Sequence, residues 1–295
     1  MLKLGNTGIN KIYLGATEIK KAYLGSVLVY DNTSIYNSVS VIYTLREVFK
    51  WDNAVLTLRR SSDNAETSVF FDANGKISLT STVSAGGTLG TWIGANNAFV
   101  KEWFGLTPNN IIDTNKIASQ TTTTKQPQFI SGGVIITKNG EPAIDFDGAN
   151  VLDAAINTDL DSGNEFTALS VNSKDDNETS TNFSVLTTNN NTDNQRWAMV
   201  NDRRNIKRFS LLKNTLNTTY NSDYLVQQNT SNQKLLSIVI TTDNTTYYNG
   251  VAQNTISWNG TYLNQTFTLG GERKNITSTQ ALIGTIQEIT IFPSD

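Results

Sequence analysis

From Gln126 onward the chain reads almost entirely as short β-strands separated by turn residues, which restricts it to sheet-on-sheet architectures. Gly140-Glu141-Pro142-Ala143-Ile144-Asp145-Phe146-Asp147-Gly148 alternates apolar and polar residues and ends on glycine. Phe166-Thr167-Ala168-Leu169-Ser170-Val171 repeats the pattern, and Leu235-Leu236-Ser237-Ile238-Val239-Ile240 reads as a buried strand. Asp243-Asn244 leads into Thr245-Thr246-Tyr247-Tyr248 and then Asn249-Gly250, a strong hairpin signal. Phe267-Thr268-Leu269-Gly270-Gly271 and Gly284-Thr285-Ile286-Gln287-Glu288-Ile289-Thr290-Ile291-Phe292 complete the set. The expected fold class is mainly β, a jelly-roll sandwich over residues 126–295.

The segment 33–125 reads as an α/β lead-in packed on that sandwich. Val39 to Phe49 carries apolar groups at i, i+3, i+4 and i+7, which predicts a short helix. Strands are expected from Val55 to Leu58, where the Arg59-Arg60 pair ends the run, and over Thr67-Ser68-Val69-Phe70-Phe71, closed by the turn Asp72-Ala73-Asn74-Gly75. A second helix is expected from Asn96 to Phe104, after a Gly-rich loop.

Residues 1–32 repeat. Leu4-Gly5-Asn6-Thr7-Gly8-Ile9-Asn10-Lys11-Ile12-Tyr13 aligns with Leu14-Gly15-Ala16-Thr17-Glu18-Ile19-Lys20-Lys21-Ala22-Tyr23, and Leu24-Gly25-Ser26-Val27-Leu28-Val29-Tyr30-Asp31 is a shorter third copy. Glycine at the same phase of each unit marks turns, so three short strands joined by tight turns are expected. Some thirty residues with so few large apolar side chains cannot enclose a core alone, so the segment either joins the main domain or folds against a partner.

Composition removes several function classes. The chain has no histidine and no cysteine, which excludes Ser-His-Asp and Cys-His chemistry, disulfides and the commonest zinc sites. A net charge of −3 without a basic stripe gives no footprint for nucleic acid. The opening Met1-Leu2-Lys3-Leu4-Gly5 lacks the apolar core of a signal peptide, and no apolar run approaches the ~20 residues of a membrane span. A soluble protein without membrane insertion is expected.

Three stretches carry resemblances. The N-terminal repeat, with Gly, Thr, Ile, Lys and Tyr recurring in phase, resembles the opening segments of phage fibre and tail-associated proteins. Tyr43-Thr44-Leu45-Arg46, Leu58-Arg59-Arg60-Ser61-Ser62-Asp63 and Phe71-Asp72-Ala73-Asn74-Gly75 resemble the first part of B-type α-L-arabinofuranosidase catalytic domains. That family often continues into Tyr-Asp-Gln-Ser-Gly, where this chain has Glu102-Trp103-Phe104-Gly105. Residues 142–148, 247–250 and 284–292 resemble, in order, the strands and late hairpin of concanavalin-like, laminin-G-like jelly rolls.

Together these imply a phage virion protein without enzymatic activity, a fibre or a capsid- or tail-decorating adhesin. Residues 1–32 would contact other virion proteins, a homotrimer is expected, and the sandwich would bind host-surface or environmental glycans. A glycoside hydrolase related to the arabinofuranosidases and a purely structural virion subunit are the alternatives. Sugar binding calls for an aromatic platform beside polar groups, and the candidates are Trp197 with Arg196, Asn194 and Asp202, then Trp258 with Tyr262. Asp145 and Asp147 share a strand face as a carboxylate pair would, but the favoured reading is an ordinary strand end with Asp147 bonded to the turn, and no catalytic residue is assigned. No cofactor is expected. A calcium loop would draw on Asp159, Asp161 and Asn164, but without EF-hand spacing no metal site is assigned.

Overall fold

A computed structural model of the chain describes residues 39–154 throughout, the strands outside that span, and residues 270, 271 and 282. Side chains beyond residue 154 are described at 166–173, 185–186, 235, 252, 267–271 and 282–292. The N-terminal repeat forms three separate two-stranded ladders. These are β1 (Lys3–Leu4) with β2 (Thr7–Gly8), β3 (Ile12–Leu14) with β4 (Thr17–Ile19), and β5 (Lys21–Leu24) with β6 (Val27–Asp31). Their registers repeat like the sequence does: Leu4 faces Thr7, Leu14 faces Thr17 and Leu24 faces Val27. Each ten-residue unit is therefore a hairpin, not the single strand expected, because the recurring glycine falls between the two arms of one unit. Among the described residues these ladders pair neither with one another nor with the rest of the protein.

The lead-in continues with β7 (Val41–Thr44), β8 (Leu56–Arg60), β9 (Glu66–Val69), the short helix α1 (Leu89–Ile93) and β10 (Ala98–Phe104). Next come β11 (Ile117–Ser119), β12 (Gln128–Ser131), β13 (Val134–Ile135), β14 (Thr137–Lys138) and β15 (Glu141–Pro142). β16 (Ile144–Asp147), β17 (Leu152–Ala154), β18 (Phe166–Lys174), β19 (Asn182–Asn189) and β20 (Arg196–Arg203) follow. The last are β21 (Ser210–Thr215), β22 (Thr218–Asp223), β23 (Lys234–Ile240), β24 (Asp243–Tyr248), β25 (Val251–Ser257), β26 (Thr266–Leu269) and β27 (Ile283–Pro293).

Apart from β14 and β15, which pair with each other, β7 to β27 join in one 19-stranded sheet whose ladders are all antiparallel. It folds into two layers. The first runs β9-β8-β10-β11-β17-β26-β19-β20-β21-β22 and the second β7-β27-β18-β23-β24-β25, with β12 and β16 bridging β10 to β27. The longest strand, β27, pairs along one edge first with β16 and then with β7, and along the other with β18. The core lies between the layers: Leu56, Leu58, Trp103, Leu152, Phe267 and Leu269 from the first meet Val41, Tyr43, Phe166, Ile289 and Ile291 from the second. The mainly β sandwich expected from the sequence is thus the architecture observed.

Two expected helices are strands. Residues 41–44, read as helical, form β7, and all four side chains are buried. A strand covered on both faces shows a continuous apolar run, which mimics helical spacing when short. Residues 96–104 hold β10, where a register shift between Val100 and Glu102 against β8 inserts one residue. The bulge moves the buried positions from Ala98 and Val100 to Trp103, so a period of two reads as a period near three. The only α-helix among the described residues, α1, lies inside the Gly-rich loop and starts at a capping box formed by Thr88 and Thr91. The turn at Asp72–Gly75 forms as expected: Asp72 Oδ1 accepts from Asn74 N at 2.8 Å and from Lys76 N at 3.1 Å, and Gly75 takes φ +70°. The hydrogen bonding shows no break at the expected boundary between 125 and 126, because β7, β10 and β11 pair with β27, β12 and β17.

Candidate functional site

Strand alternation decides which side chains face away from the core. In the first layer Leu56, Leu58, Trp103, Ala118, Leu152, Ala154, Phe267 and Leu269 point inward and are buried. Their neighbours therefore form an outer face, and registered pairing aligns them in a row: Thr57 opposite Glu102, Glu102 opposite Ser119, Ser119 opposite Asp153, and Asp153 opposite Thr268. The row is polar along its whole length. Thr57 Oγ1 donates to Glu102 Oε2 at 2.6 Å, and Thr268 Oγ1 donates to Asp153 Oδ1 at 2.7 Å. Thr57 and Thr268 are buried although they face outward, so this face is recessed.

Beside the row the sheet forks. One edge of β10 is shared between β11, at Glu102–Phe104, and β12, at Ala98–Phe99. Where β11 and β12 part, the chain between them turns back through Gln120 to Gln126, and side-chain amides close the gap. Gln126 Nε2 donates to Gln120 O at 2.8 Å, Asn150 Nδ2 to Gln126 O at 3.2 Å, and Gln120 Nε2 to Val151 O at 3.2 Å. The fork leaves a cleft of about 310 Å³ lined by Arg59, Phe99, Gln126, Gln128, Asp145 and Asp147, among others. Register explains why these meet: Arg59 pairs with Phe99, Phe99 with Gln128, and Gln128 with Asp145.

Arg59 is the centre of the cleft. It is only 8 % exposed, and its guanidinium lies 5.0 Å from the centroid of the Phe99 ring. It donates from Nε to Gln126 Oε1 at 2.6 Å, from Nη1 to Asn64 Oδ1 at 2.9 Å and from Nη2 to Thr123 O at 3.2 Å. All three partners are neutral. The carboxylates approach from the other wall. Asp145 is half-buried, and Asp147 is exposed at the end of β16. Asp147 Oδ1 accepts from Ala149 N at 2.9 Å while Asp147 N donates to Asn150 Oδ1 at 3.0 Å, the turn-binding role expected of a strand-end aspartate.

A second hollow, of about 220 Å³, lies between Leu45, Pro142 and Val171. Its polar groups are engaged with one another or with backbone. Arg46 Nε donates to Glu288 Oε2 at 3.0 Å, and Gln287 Nε2 reaches three carbonyls, of Lys138, Glu141 and Pro142. It is a packing feature of the β7–β27 edge.

Of the sugar-binding candidates read from the sequence, Arg196, Trp197 and Asp202 fall on β20, with Trp197 opposite Lys213 of β21. Asn194, Trp258 and Tyr262 lie outside the described residues, as do Asp159, Asp161 and Asn164 of the calcium loop considered. Sequence reasoning missed Arg59, Phe99, Gln126, Glu102 and Asp153. The signal was available for Arg59: Leu56-Thr57-Leu58-Arg59 alternates apolar and polar, which places Thr57 and Arg59 together on the face opposite the core. Reading the arginine pair as the end of the strand concealed it.

No family model matches the sequence, and no curated protein matches it either. Solved structures do match. An arabinofuranosidase complexed with arabinofuranosyl-α-1,2-xylobiose aligns over 87% of this chain and 60% of its own, with a TM-score of 0.59 at 11% identity. A mutant GH54 α-L-arabinofuranosidase soaked with 4-nitrophenyl α-L-arabinofuranoside gives the same coverage and identity with a TM-score of 0.58. The chain thus spans 60% of the length of these enzymes, and the likeness is one of fold.

Proposed function

We propose that the chain is a carbohydrate-binding virion protein, whose sandwich binds glycans through the recessed polar face of its first layer and whose N-terminal hairpins hold it to partner proteins. The observation that carries the binding reading is the cleft at the fork. A buried guanidinium stacked on an aromatic ring, fixed amides and carboxylates converge in a volume close to the lower end of small-molecule sites, roughly 300–1,000 Å³. The virion reading rests on the in-phase repeat of residues 1–31 and on its ladders, which find no partner within the described chain. The test is a glycan array followed by calorimetry on the hits. Binding to host-surface or plant-polymer glycans is expected, and a protein that retains none would remove the reading.

One observation favours a second reading, a glycoside hydrolase. Glu102 and Asp153 stand on the same outer face, separated by β11. Two strand spacings put their backbones roughly 9–10 Å apart, and glycosidases place their two carboxyl groups roughly 5–9.5 Å apart across the substrate. The binding reading predicts no release of reducing sugar from arabinans, arabinoxylans or β-glucans. Turnover that disappears in both Glu102→Gln and Asp153→Asn would establish the hydrolase instead.

A further inference from the structure

We propose that the cleft at the fork is a subsite for a neutral sugar, which it holds by two adjacent hydroxyls, with Arg59 as the donor and Gln128 and Asp147 as acceptors. The inference rests on the glycan-binding reading and specifies its ligand.

A guanidinium has five N–H groups. Arg59 uses three, so one N–H on Nη1 and one on Nη2 have no acceptor among the described residues, although the residue is only 8 % exposed. Unmet donors on a buried charged group are costly unless something completes them. The frame does not do so. Gln126 is committed at both ends, accepting from Arg59 and donating to Gln120 O, and Asn150 likewise accepts from Asp147 N and donates to Gln126 O. The opposite wall has acceptor capacity to spare. Gln128 uses one of its two Nε2 N–H groups on Ile130 O at 3.0 Å, and its carbonyl oxygen has no donor among the described residues. Asp147 accepts through Oδ1 only, which leaves Oδ2 without one.

A ligand that completes this cleft must accept from Arg59 and donate to Gln128 and Asp147 at once. A hydroxyl does both, since it has one donor and two lone pairs. Two neighbouring ring hydroxyls match the two N–H groups of the planar guanidinium fork. An acidic sugar fits less well. Its carboxylate would satisfy Arg59, but it has no proton for the acceptors and would be repelled by Asp147 on the facing wall. Phe99 supplies an apolar wall for the C–H face of a sugar ring.

The test is calorimetric titration of the full chain with neutral arabino-, xylo- and galacto-trisaccharides and with trigalacturonate. Neutral trisaccharides are expected to bind, with trigalacturonate at least about tenfold weaker, as loss of one or two hydrogen bonds implies. Arg59→Lys, which removes the fork, and Gln128→Ala should each weaken neutral binding by about tenfold or more. Should Arg59→Lys fail to fold, Gln128→Ala and Asp147→Asn carry the test, because neither side chain is fully buried. Preference for trigalacturonate would overturn the proposal. So would neutral binding that survives the cleft variants and is lost in Glu102→Gln, a result that leaves the glycan-binding reading standing and moves its site along the face. Absence of binding by every glycan would end both.

Discussion

The N-terminal hairpins and the sandwich are made of the same kind of strand, but among the described residues they differ in how many neighbours each strand pairs with. β1 to β6 are two to five residues long and, among the described residues, pair only within their own hairpins. β7, at four residues, is no longer than β5, but its neighbours in the sheet and the layer below bury all four of its side chains. A two-stranded hairpin is marginal in water, and three or more strands with a covered apolar face are needed for independent stability. Length and composition of a strand therefore say little about its stability. What decides is whether a second layer covers it.

The largest expected effect follows from the covered side. Trp103 is fully buried, meets Tyr43 edge-on at 5.7 Å and donates from Nε1 to Thr44 O at 3.4 Å, so it ties β10 of one layer to β7 of the other. Trp103→Ala should destabilise the sandwich by about 3–5 kcal/mol, as expected for aromatic truncation in a core. The shift of the urea midpoint in full-length protein measures it. A loss below about 1 kcal/mol would mean that the two layers are not one cooperative core.

Tyr43 gives a smaller, pH-dependent effect on the same contact. Burial pushes its phenol well above the ordinary tyrosine range, and the negative charge of Asp113 adds to the shift. The raised folded-state value means that the folded protein holds this proton more tightly than the unfolded chain does. The contribution is complete below the unfolded value of about 10 and is lost as pH rises beyond it. Wild type should lose about 1 kcal/mol more per pH unit above 10 than Tyr43→Phe, which keeps the ring and cannot ionise. Parallel stability curves for the two proteins between pH 9 and 11 would show that Tyr43 is not enclosed between the layers.

How much of this was legible in the sequence divides along the same line. Strands with one covered face announced themselves by alternation: Ile144-Asp145-Phe146-Asp147 and Phe166-Thr167-Ala168-Leu169 are strands in the structure. β7 was not legible, because a strand covered on both faces has no alternation to read. β10 was obscured by a single inserted residue. The repeat is plain in the sequence, but its glycine marks a turn without showing that the turn lies inside each unit, between the two arms of a hairpin. In the site, Asp145 and Asp147 stood out as a close pair within one strand. Arg59, Phe99 and Gln126 are distant in sequence and are brought together by strand pairing and by the fork between β11 and β12, which no local pattern encodes.

The smallest expected effect on the sandwich, and the sharpest test of the comparison, is removal of residues 1–31. Among the described residues, no ladder ties β1–β6 to the 19-stranded sheet. The shortened protein should therefore unfold within about 0.5 kcal/mol of full length, the range of changes made away from any packed or bonded feature. Self-association should respond differently. If the hairpins gain their missing strand neighbours from other copies, light scattering will find full-length protein as a closed oligomer, a trimer by the reading of the repeat, and the shortened chain as a monomer. A shortened protein that loses several kcal/mol would make the repeat part of the main domain. One that stays oligomeric would move the association surface onto the sandwich and leave the hairpins for a different partner protein.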